Sequence, residues 1–195
     1  MASRGWTRVL AVTGATASLL VVILALRVRD LTDELRRLRF ERNLPRVGDM
    51  VPDARLGVLG ADSVDLGSVG TGRRQVWLVF NTTCPICAAT MKVWNAAAAR
   101  LRQDSTVLVL GVSLDSAALT EPYVREHQLI FPVALLDGAR AAGVYRIRGV
   151  PVTVVVDQAA RVRLVRPGRF TPAAADSLIR FLAADPAAGG VVAGR

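Results

Sequence analysis

Only two cysteines stand in this chain, Cys84 and Cys87, and they bracket Pro85-Ile86 where the apolar run VWLVFN gives way to a helical pattern. A Cys-x-x-C at a strand-to-helix junction narrows both the fold and the chemistry. The first backbone N–H groups of a helix lack intrahelical partners and carry partial positive charge, which favours a thiolate. Cys84 is therefore expected to be the nucleophile, with a lowered pKa. Cys87, one turn along, is close enough for disulfide closure and suits attack on a mixed disulfide formed at Cys84. Pro85 fits the first helical position, where its missing N–H costs nothing. A closed zinc site is disfavoured, since no second cysteine pair exists and His127 is the single histidine. Two inert buried thiols are the plainer alternative. His127 is read as a surface residue, and Trp77, Trp94 and Leu101 as packing residues.

Around this junction the chain alternates apolar runs with helical patterns. Val76–Asn81, Thr106–Leu114, Phe131–Leu136, Val152–Asp157 and Val162–Arg166 read as strands, and the near-continuous Val/Leu content of the first, second and fourth predicts strands covered on both faces. Pro85–Arg102, Ser116–His127 after a cap-like Asp115, and Thr171–Ala184 with Thr171 capping and Pro172 following read as the covering helices. A further helical stretch ends near Tyr145. Alternation of this kind predicts an α/β domain over residues 47–184. Residues 185–195 carry Pro and a Gly pair without periodicity and are expected to be a disordered tail.

The amino-terminal part is of another kind. Val9–Leu26 runs 18 residues without a charge, about 27 Å as a helix, which matches a bilayer core. With Arg4 and Arg8 before it, Arg27 and Arg29 after it and only a weak small-residue cleavage signal, residues 1–26 are read as an uncleaved transmembrane anchor in contact with lipid through 9–26. Residues 27–46 follow as a charged helical stalk, its stripe Val28, Leu31, Leu35 and Leu38 ending at Pro45. Counting arginines alone places the following domain inside. Of 25 Lys+Arg against 16 Asp+Glu, net +9, only Lys92 is lysine and the arginines are scattered. That scatter argues against a nucleic-acid groove. At 52% hydrophobic residues, whole-chain disorder is excluded as well.

Taken together, VWLVFNTTCPIC, the later GVPVTVVVD and Val47-Gly48-Asp49-Met50-Val51-Pro52-Asp53 resemble the membrane-anchored thioredoxin-like thiol:disulfide oxidoreductases of the TlpA/ResA type, within the redoxin superfamily. The resemblance covers roughly 47–184. It implies a thioredoxin-like central mixed sheet flanked by helices, behind an N-terminal transmembrane helix. It also implies that Pro151 is a cis proline beside the Cys84/Cys87 pair, although most X–Pro bonds are trans. Val150 would offer its backbone to a bound substrate, with Thr83, Pro85 and Ile86 completing the contact surface around Cys84. The implied setting is the outer face of the cytoplasmic membrane, with exported proteins such as apocytochrome c as substrates. The same setting leaves room for an upstream membrane electron donor, and no organic cofactor or metal is expected. Two departures stand out: Thr83 occupies a position where many members carry Trp, and Leu78 the position of a buried acid. The base that deprotonates Cys87 is thus left open. A copper(I)-binding assembly chaperone using both thiolates and a thiol peroxidase, with Asn81 in place of the usual Thr, are the competing functions.

Overall fold

The computed structural model describes residues 17–35, 44–67, 72–136, 138–147 and 149–184. The chain forms two compact units, Met1–Arg42 and Asn43–Arg195. In the first, residues 17–35 form a helix, α1, whose residues are all exposed. Its apolar part includes Leu19, Leu20, Val21 and Leu24, and Val28, Leu31 and Leu35 continue along it. Among the described residues no helix is long and apolar enough to cross a membrane. Residues 1–16 of the expected anchor, 36–43 of the expected stalk and the expected tail 185–195 lie outside the described residues.

The second unit is built on one seven-stranded sheet in the order β2-β1-β5-β4-β3-β6-β7. Its elements are β1 Ala54–Val58, β2 Ala61–Leu66, β3 Arg74–Phe80, α2 Pro85–Ala88, α3 Met91–Leu101, β4 Val107–Ser113, α4 Ala117–Glu126, β5 Val133–Leu135, α5 Ala139–Val144, β6 Val152–Val156, β7 Val162–Pro167 and α6 Pro172–Ala183. β3, β4 and β5 are mutually parallel, and every other pairing is antiparallel. The sheet is mixed, as the motifs implied. β3 and β6 are buried along almost their whole length, which is what uninterrupted Val/Leu runs require when both sheet faces are covered.

Side chains alternate across the sheet, so β3 feeds two cores. Val76, Leu78 and Phe80 pack with Met91, Trp94 and Leu101 of α3, with Leu178 and Leu182 of α6, and with Phe170. Gly111 in β4 belongs to this face, because a Cβ there would meet the Phe131 ring at 2.9 Å. Trp77, pointing the other way, sets its ring edge-on to Tyr145 at 5.7 Å and donates its Nε1–H to Gln75 Oε1. Trp77, Trp94 and Leu101 are therefore core residues, as their spacing predicted. A strap runs beside the turn before β7 and its first residue: Gly48 N–H donates to Val162 O, Val162 N–H to Asp49 O, and Val51 N–H to Ala160 O. Met50 faces Arg161 in a bridge.

Three expectations need correction. The helix read over Pro85–Arg102 is two helices, broken at Ala89-Thr90. The buried Thr90 hydroxyl donates to Ile86 O at 2.8 Å and its N–H bonds the Cys87 carbonyl only three residues back, which tightens the turn before α3 restarts on Thr90 O. The cap of α4 is Ser116 rather than Asp115. The hairpin β1-β2 was not expected at all. Its sequence ARLGVLGADSVDL is poor in the bulky β-formers that mark a strand, and it is held by partners far along the chain: Val58 pairs with Ala134, and Leu59 N–H donates to Val133 O.

Candidate functional site: a cysteine pair beside a cis proline

β3 delivers the chain to the end of the sheet, and Asn81–Thr83 carry it into α2. Cys84 is the N-cap of α2, in extended backbone conformation, with Pro85 first in the helix. Its sulfur accepts a hydrogen bond from the Cys87 N–H at 3.3 Å. The orphan donors of a helix start thus point at Cys84, as the junction predicted. Cys84 is half-buried and Cys87 fully buried, both as free thiols. The same turn therefore offers one accessible and one sequestered sulfur.

Desolvation acts differently on a buried group. Burial pushes the Cys87 thiol up to about 12, and the hydrogen bond with Cys84 adds to the rise. The Asn81 backbone amide works against it, while negative charge on Cys84 and Asp115 adds to it. Cys87 therefore remains a thiol at neutral pH.

Opposite the helix start, the Val150–Pro151 peptide is cis. The Cys84 S–H donates to the Val150 carbonyl at 3.9 Å, across 66 residues of sequence. Cys84, Cys87, Val150 and Pro151 are thus brought together. Thr83, Pro85 and Ile86 lie exposed around Cys84, Ile86 at 49%, forming an open apolar rim. Such an arrangement can exchange a disulfide with a large substrate at Cys84 and close an internal one by Cys87.

The position that lacks an acid is confirmed as apolar, since Leu78 is core-buried. A carboxylate comes instead from Asp115, which sequence reasoning treated only as a helix cap. Its Oδ2 accepts the Thr82 N–H at 2.6 Å and the Thr82 hydroxyl at 2.8 Å. The available signal was the parallel neighbourhood of two central strands, whose carboxyl ends must lie side by side. Tyr123 of α4 was also missed. Its ring stacks on Phe80 at 5.5 Å, and its buried hydroxyl has no hydrogen-bond partner among the described residues. Burial raises this phenol above its ordinary value, and charge on Cys87, Cys84 and Glu126 raises it further. The Asn81 Oδ1 and the Thr153 hydroxyl are buried without partners too. His127 is half-buried with its ring 4.2 Å from that of Tyr123. Among the described residues no cluster of three or more His, Cys, Asp or Glu is placed to hold a metal ion.

The sheet order and a helix-capping Cys-x-x-Cys facing a cis proline define a thioredoxin-like dithiol protein. The chain belongs to the AhpC/TSA family, whose family model matches residues 47–165. It is 24% identical over 132 residues to the thiol-disulfide oxidoreductase ResA of Halalkalibacterium halodurans, covering 67% of this chain and 74% of that one. A structure described as a candidate thiol:disulfide interchange protein DsbE from Chlorobium tepidum superposes with a TM-score of 0.63 at 22% identity, over 73% of this chain and 99% of that one. StoA from Bacillus subtilis gives 0.58 at 14% identity, over 67% and 96%. These likenesses bear out the redoxin resemblance and the thioredoxin-like fold.

Proposed function

We propose that this chain is a membrane-anchored thiol:disulfide oxidoreductase that exchanges disulfides with exported protein substrates through Cys84 and Cys87. The observation that carries the reading is the asymmetry of the pair: Cys84 is accessible and accepts the helix-start N–H, while Cys87 is buried and held as a thiol. The Cys84 thiolate attacks one sulfur of a substrate disulfide, forming a mixed disulfide and releasing the other substrate sulfur as thiolate. Cys87, once deprotonated, attacks the Cys84 sulfur and expels the second substrate thiolate. The substrate gains two electrons and the protein keeps an internal disulfide, which an upstream donor at the membrane must reduce again.

Val150 and Pro151 form the wall opposite Cys84, and a substrate segment laid there can pair with the Val150 backbone as an added strand. Thr83, Pro85 and Ile86 supply the remaining contacts. The anchor rests on the uncharged run Val9–Leu26, and the resemblance supports an extracytoplasmic redox domain, with cytochrome c maturation among the processes served.

The test is the equilibrium reduction potential of the full chain, by thiol trapping in glutathione or dithiothreitol buffers, with Cys84→Ser and Cys87→Ser beside it. A value near or below about −250 mV identifies a reductant of exported proteins, and one near about −120 mV an oxidant. Failure to form an internal disulfide, with stoichiometric copper(I) uptake instead, overturns the reading. A reporter fused after Gly190 tests the placement, and a cytoplasmic signal refutes the extracytoplasmic side.

A further inference from the structure

β3 and β4 run parallel with Phe80 opposite Ser113, so the segments that follow them leave the sheet at one end. Asp115 uses this adjacency to hold both polar hydrogens of Thr82, two residues before Cys84. The Asp115 backbone is itself fastened. Its N–H donates to the Ser113 hydroxyl at 3.2 Å, and its carbonyl accepts from the Thr120 hydroxyl at 3.4 Å. Those two hydroxyls lie 2.7 Å apart in the buried interior. A half-buried carboxylate with a fixed backbone and two short hydrogen bonds to a site loop is a built feature of the site.

Two titratable groups bear on Cys87 from the elements around it, Cys84 at the start of α2 and Asp115 just beyond β4, while Tyr123 on α4 feels both cysteines and Glu126. Asp115 and Glu126 are the carboxylates in this group, and of the two it is Asp115 that acts on Cys87.

We propose, resting on the thiol-exchange reading above, that Asp115 is a positioning residue that holds the loop presenting Cys84 and reserves Cys87 as the second nucleophile. The Asp115 charge, behind burial and Cys84 in size of effect, opposes a further negative charge on the Cys87 sulfur. Cys87 therefore stays S–H while Cys84 makes the first attack. In the resolving step the Cys87 proton leaves to solvent and a bond forms from its sulfur to Cys84 Sγ. The bond between Cys84 and the substrate sulfur breaks, and its electron pair leaves with the substrate thiolate.

The full chain carrying Cys84→Ser reports Cys87 alone through ultraviolet thiolate absorbance against pH. Adding Asp115→Asn is expected to give about twofold more Cys87 thiolate at a fixed pH. Asp115→Glu restores the charge and is expected to bring the curve back. Thr82→Val, which removes one hydrogen bond and leaves the charge, is expected to keep the Cys87 titration in place. In the two-cysteine protein the same change should slow disulfide exchange about fivefold. Asn and Glu replacements that move the curve alike, or that both leave it unmoved, overturn the assignment. If the protein with both cysteines closes no internal disulfide, the thiol-exchange reading falls, and the titration still decides the role of Asp115.

Discussion

The Cys84 sulfur sits 3.9 Å from the carbonyl oxygen of Val150, so the outer thiol of the helix start and the backbone before the cis proline share one surface. In the proposed exchange, a substrate pairing with that backbone would meet Cys84 directly. Replacing Cys84 by Ser should therefore abolish attack on a disulfide substrate, a loss of more than about 100-fold in exchange rate. Cys87→Ser should instead accumulate a mixed disulfide at Cys84. Non-reducing electrophoresis after mixing with a disulfide-bonded protein distinguishes the two, and equal behaviour of the variants would refute the division of roles.

The elevated Cys87 thiol also makes a prediction about stability. Its ordinary value is 9.0 and its folded value about 12. Below about pH 9 both folded and unfolded chains hold this proton, so stability does not depend on it. Between 9 and 12 the unfolded chain releases the proton and the folded chain keeps it, so unfolding becomes progressively easier as pH rises. Denaturant midpoints measured across that window should fall for the wild type and fall less steeply for Cys87→Ala.

Trp94 is fully buried between the sheet and Phe170, ring centroids 6.4 Å apart. Trp94→Ala should cost about 3–5 kcal/mol by removing apolar contact and leaving a cavity. The readout is a lowered urea midpoint with an unchanged slope.

A smaller effect is expected at α6, where Thr171 Oγ1 accepts the Ala174 N–H at 3.2 Å. Thr171→Ala removes that cap and should cost about 1 kcal/mol, whereas Thr171→Ser should cost little. Thermal unfolding of the pair separates loss of the hydroxyl from loss of the methyl group.

The parts legible in the sequence are those whose physics is local or compositional. Val76–Phe80 and Val152–Val156 announce doubly covered strands because nothing polar interrupts them, and Thr171-Pro172 announces a helix start. The adjacency of Cys84 and Cys87 was legible from spacing alone, since one helical turn fixes it. What escaped depends on partners distant in sequence. The β1-β2 hairpin joins the sheet through Val58 and Ala134, Asp115 turns from the helix that follows it toward Thr82, and Thr90 breaks a helix whose apolar periodicity runs on past it. The cis form of Pro151 came from resemblance, because the residues around it also suit a trans bond.

The strap of residues 48–51 beside the start of β7 has a bearing on association. A strand at the margin of a sheet displays unpaired N–H and C=O groups and invites another chain to add on. Here the Val162 N–H and carbonyl are both taken by the strap. The opposite margin of the sheet is β2, which carries Asp62 and Asp65, the latter paired with Arg55. The first residue of β7 is thus closed to an added strand by the chain's own backbone.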